Sequence, residues 1–96
     1  MAILPSMKER EADDMRLRVQ SFCGKKTDRA VEKGMITKEE ADKVFNAVGK
    51  LFYKFKNDWW IDQKGHKSYE ILMLLFEQAE GDFASHIEIL QKIEKA

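Results

Sequence analysis

Paired carboxylates, two histidines and one cysteine are the residues of this chain with the makings of catalysis. Glu11 and Asp14 stand three apart, and so do Glu39 and Asp42. That spacing sets both members of a pair on one helix face, and two such pairs on facing helices can hold a magnesium ion. The same acids also fall early in two expected helices, where negative charge complements the helix dipole. The dipole role accounts for them without a metal. His66 follows Gly65 in a lysine-rich stretch and is expected in solvent. His86 neighbours the apolar Ile87 and is expected to be a partly buried structural histidine. Cys23 stands alone, and with two distant histidines it falls short of a zinc ligand set. No nucleophile–histidine–acid arrangement is present. Gly24, Gly34, Gly49, Gly65 and Gly81 are isolated, so no glycine-rich loop cradles phosphate. The sequence therefore predicts no enzyme, no metal site and no cofactor.

Binding chemistry is better represented. Lys43, Lys50 and Lys54 fall on one side of an expected helix, and Lys56, Lys64, His66 and Lys67 follow. Tyr53, Trp59 and Trp60 are interleaved with them. An exposed tryptophan ringed by charges is a typical anchor for a protein partner, so Tyr53, Trp59 and Trp60 are the candidate partner-binding residues. Lysines beside aromatics also suit phosphate contact with base stacking. In that alternative, Lys43, Lys50, Lys54, Lys56, Lys64 and Lys67 contact nucleic acid. Adjacent helical residues point about 100° apart, so the two tryptophans cannot share one seat. Trp59 continues the stripe four residues after Phe55 and is expected to cap the core. Trp60 then lies either beneath the following loop or at the surface. A second basic group, Lys25, Lys26, Arg29 and Lys33, suits the C-terminal end of a helix dipole.

Helices must position these groups. Ser6-Met7-Lys8-Glu9 and Thr37-Lys38-Glu39-Glu40 are capping boxes, in which a hydroxyl and a carboxylate satisfy the first free N–H groups. The first box, preceded by Pro5, predicts helix one from residue 6 to about 33, with Ala12, Met15, Val19 and Phe22 as its stripe. Gly24 is a weak point, and Thr27 can recap the helix if it breaks there. Gly34 is a natural stop. Helix two is expected from residue 38 to about 56, with Ala41, Val44/Phe45, Val48, Leu51/Phe52 and Phe55 as its apolar stripe. Gly49 inside it is expected to permit close helix approach. Residues 57–67 form the one long connection. Helix three is expected over 68–80 with Ser68 as N-cap, and helix four over 83–95 behind Gly81-Asp82. Phe83, Ile87 and Leu90 share a face of helix four, and Ile89 lies off it. The expectation is one all-α domain over residues 1–96, an antiparallel bundle of four helices, or five if helix one breaks near Gly24.

Composition limits the function classes. Seventeen basic and seventeen acidic residues cancel, so a globally basic nucleic-acid binder is not indicated. The charge is uneven: residues 68–96 carry net −4 and the rest net +4. The lone cysteine fits a reducing compartment. The apolar run 71–76 is too short to span a bilayer, and residues 1–5 are too short for a signal h-region. A soluble, cytoplasmic protein that does not enter membranes is expected. Helix three is apolar nearly all round while helix one has a thin stripe, and that surplus predicts a homodimer through helix three or helix one. The reading is a non-catalytic adaptor, inhibitor or regulator that binds a protein. The alternative is a nucleic-acid-binding subunit using the lysine–aromatic surface.

Overall fold

Ser6 starts the first helix by accepting the Glu9 backbone N–H on its hydroxyl at 3.1 Å. In the computed structural model of the chain, which describes residues 6–96, α1 (Met7–Glu32) then runs unbroken for 26 residues. The residues before Ser6, Pro5 and the short apolar start included, lie outside that description. Gly24 does not interrupt α1, and Phe45 packs beside it: a Cβ there would meet the Phe45 ring at 3.6 Å. Thr27 does not recap the helix. It is buried, and its hydroxyl donates to the carbonyls of Cys23 and Gly24 at 2.8 and 3.0 Å. The helix ends in a Schellman motif: the N–H groups of Gly34 and Met35 donate to the carbonyls of Val31 and Ala30. Gly34 takes φ +71°, which residues with a Cβ rarely adopt.

The turn at Gly34 sends the chain back along α1. α2 (Lys38–Phe52) opens on the complete Thr37–Glu40 capping box, with both bonds at 3.0–3.1 Å. It ends four residues earlier than the apolar stripe predicts. The N–H groups of Lys54 and Phe55 both turn back to the Leu51 carbonyl, and a short helix, α3 (Asn57–Asp62), follows. The fifth helix thus arises within the expected connection, while helix one stays whole. α4 (Ser68–Gln78) and α5 (Ala84–Glu94) complete an all-helical bundle with no strand among the described residues. Ser68 is the first residue of α4, and Lys67 occupies the N-cap. α5 starts one residue later than expected: Phe83 occupies the N-cap with no side-chain cap bond, and Asp82, one residue before it, accepts the Ala84 N–H at 3.2 Å.

α1 is the spine, and each of the other four helices packs on it. At 1.5 Å per residue it is about 39 Å long, enough to underlie both α2 and α3. Ala12, Met15, Val19, Cys23 and Ala30 line its buried side. Ile71, Leu72, Leu75 and Phe76 of α4 are buried within the same chain. α1, α2 and α5 pack on α4 and take up part of the apolar surplus, while Met73 and Leu74 stay half-buried. Ile89 is buried on α5, beside Leu90 and Ile93. No described helix is long and apolar enough to cross a membrane.

Gly49 serves no close approach: a Cβ built there meets nothing within 4 Å. Gly49→Ala should therefore stabilise the protein by about 0.5–1 kcal/mol, because alanine loses less backbone freedom in a helix. A rise in the thermal midpoint would register it, and a fall would mean the site is tighter than it looks.

Candidate functional site

The two tryptophans are sorted by the turn after α2. Trp60 is fully buried, at 0% exposure, so it is not a surface anchor. Its ring stands edge-on to Phe52 and Trp59, each with centroids 5.2 Å away, and the Arg16 guanidinium carbon lies 5.5 Å over it. Trp59 is half-buried, tilted against Phe55 at 4.5 Å, and its Nε1–H donates to Gln78 Oε1 at 2.7 Å. Ending α2 at Phe52 resets the helical phase, so Trp60 turns inward and Trp59 takes the rim. Tyr53, the C-cap of α2, is left 88% exposed. Of the three aromatic candidates, Tyr53 alone presents its whole side chain to a partner.

The six candidate lysines do not form one surface. Lys43, Lys50 and Lys54 line a groove of about 330 Å³ between α2 and the start of α5, opposite Phe83 and His86. Lys56 stands at the N-cap of α3, beside Tyr53 and Asn57. Lys64 pairs with Glu11 at 3.0 Å, which ties the α3–α4 connection to α1. Lys67 is exposed at the N-cap of α4. No ion pair among the described residues involves Lys43, Lys50 or Lys54; Lys43 instead donates to the Ser85 hydroxyl at 2.8 Å. Phe83 and His86 were not recognisable in the sequence as members of this site. Only the approach of α5 to α2 puts them across from the lysines.

His86 is half-buried and stacks on Phe76 with centroids 5.4 Å apart, while Phe83 meets its ring edge-on at 5.1 Å. Its Nδ1 is buried without a hydrogen-bond partner. Burial holds its pKa below the ordinary histidine value of 6.5, and the positive charge of Lys43 adds to this, while Asp82 opposes it. As pH falls, the unfolded chain therefore takes up this proton before the folded one does. The contribution of neutral His86 to stability is complete above about pH 6.5 and declines below it until the lower folded pKa is passed. His86→Leu should flatten that part of the stability profile between about pH 7 and pH 5 in urea titrations. An unchanged slope would mean that the imidazole is free to charge in the fold.

The catalytic candidates are not brought together. Glu11 and Asp14 line a hollow with Lys64 and His66, whereas Asp42 lies by Gly24 and Thr27. From Asp14 to Gly24 the helix rises about 15 Å, so the two carboxylate pairs cannot share one ion. No group of three metal-ligating side chains occurs among the described residues. Cys23 is buried, and desolvation pushes its thiol up to about 12, which leaves it protonated and a poor nucleophile. His66 is exposed and meets Glu70 at 3.1 Å, as its place in a polar turn suggests. Tyr53, next to Lys54 in sequence, faces a separate hollow with Lys8, Arg16 and Asn57 rather than the lysine groove. Neither protein-family models, nor curated proteins, nor solved structures match this chain.

Proposed function

We propose that this protein is a non-catalytic interaction protein, an adaptor, inhibitor or regulator, that binds a protein partner through the side of α2 ending in Tyr53. The observation that carries this is the 88% exposure of Tyr53 at the end of α2. A tyrosine brings a large amphipathic ring with only two side-chain torsions to order, which suits an interface anchor. Tyr53→Ala should weaken partner binding by about 1–2 kcal/mol or more while leaving stability within about 0.5 kcal/mol. A photo-crosslinking amino acid at Tyr53 provides the test. It should trap one protein, the trapping should be lost with Lys50→Glu, and a crosslinker at exposed Leu17 should not trap it.

A second reading, a nucleic-acid-binding subunit, is favoured by one observation: Lys43, Lys50 and Lys54 share a groove without an acidic partner among the described residues. Binding to labelled single-stranded RNA or DNA that collapses between about 50 and 200 mM salt would support it over the protein reading. Absence of binding at the lower salt would remove it.

A further inference from the structure

The groove between α2 and α5 has a floor as well as a charged wall. Ala47 and Leu51 lie along its base four residues apart, and Phe83 closes the far side. At Leu51 and Lys54 it adjoins a second hollow of about 230 Å³, lined further by Phe55, Gln78, Ala79 and Glu80. The combined trough follows α2 from Lys43 to Leu51, a rise of about 12 Å, and continues past the helix end. That length suits about three turns of a partner helix. Lysines stand along the α2 wall, while the facing connection carries Glu80 and Asp82. A ligand lying in the trough therefore meets positive charge on one side, apolar surface beneath it and negative charge on the other.

Resting on the protein-partner reading above, we propose that this trough receives an acidic amphipathic helix of the partner. Its apolar residues, spaced three or four apart, would lie on the half-buried Ala47, Phe55 and Phe83, with Asp or Glu side chains against Lys43, Lys50 and Lys54. Two features favour this occupant over a nucleic-acid strand. The apolar floor gains from apolar side chains and gives nothing to a phosphate backbone. The aromatic rings within or beside the trough are already engaged, Phe83 and His86 against Phe76, Trp59 against Phe55, and Trp60 in the interior, which leaves Tyr53 alone for a strand to stack on. Glu80 and Asp82 would also repel phosphates on the far wall, whereas a helix can turn a basic or neutral side toward them.

The test is fluorescence anisotropy with the full chain and four labelled probes. The first is a three-turn helical peptide with leucines four apart and glutamates along one flank. The second replaces the glutamates with glutamine, the third replaces the leucines with serine, and the fourth is a single-stranded DNA of equal charge. The first peptide should bind at least about tenfold more tightly than the other three. Ala47→Trp, which fills the floor, and Lys50→Glu, which reverses the wall, should each weaken it by at least about tenfold. Lys50 is exposed, so its variant keeps the test valid if Ala47→Trp fails to fold. Equal binding of the three peptides, or no binding, overturns the acidic-helix proposal while a partner at Tyr53 stands. Preferential, steeply salt-dependent binding of the DNA overturns both.

Discussion

Trp60→Ala should lower the unfolding free energy by about 3–5 kcal/mol, as truncation of a buried tryptophan typically does. The indole is at 0% exposure, between Phe52, Trp59 and the Arg16 guanidinium, and these neighbours sit on three different elements that cannot all collapse into the space left. A domain of this size has of order 5–15 kcal/mol in total, so this loss is a large share of it. The thermal midpoint should fall by at least about 12 °C. Trp60→Phe should cost clearly less, because Nε1 is buried without a partner and its removal relieves an unmet hydrogen bond. Urea denaturation of the two variants decides the matter. If Trp60→Ala matches the parent within about 0.5 kcal/mol, the indole is not interior, and its place as a partner anchor returns.

Arg16→Ala should cost about 2 kcal/mol, a large loss for a charged residue on a helix. The Arg16 side chain is only 16% exposed although it is charged. Its Nη1 donates to Asp13 at 2.8 Å and its Nη2 to Asn57 at 2.7 Å, while the planar head lies over Trp60. One side chain thus joins the spine to the first residue of α3. The unpartnered Nε limits the gain, since part of the desolvation cost is not recovered. Arg16→Lys should restore little, because a lysine has neither the fork that reaches both oxygens nor the flat face that covers the ring. A double-mutant cycle with Trp60→Phe should show coupling of about 0.5–1 kcal/mol. Additive losses would mean that Arg16 acts through Asp13 and Asn57 rather than through the indole.

These two residues also mark where reading the chain in order stops working. Arg16 looks like one basic residue among several on a charged helix, and nothing near it in sequence marks it as half-interior. Its partner Asn57 is 41 residues away. Trp59 and Trp60 are adjacent and equally apolar, so their order of burial depends on helical phase, and the phase depends on where α2 stops. The stripe through Phe55 argues for a longer helix. The aromatic contacts of Phe52 with Trp60 and of Phe55 with Trp59 instead favour a turn that lets both pairs pack.

Signals that act over three to five residues were legible without the fold. Ser6 and the Thr37–Glu40 box start their helices because a side chain reaches its own first turn. Gly34 ends α1 because its φ is available at no cost to glycine. The inward stripes of α1 and α2, and hence an all-α bundle, follow from the 3.6-residue period. The candidate surface was legible only as a set of residue types. Lysines are alike in sequence, and whether one is free, as Lys50 is, or tied, as Lys64 is to Glu11, depends on what the far chain brings alongside. Phe83 and His86 join the lysine row for the same reason. Local hydrogen bonding and periodicity are written into neighbouring residues, whereas burial, pairing and the shape of a groove are properties of contacts between distant ones, which exist only once α1 has gathered the other helices on its sides.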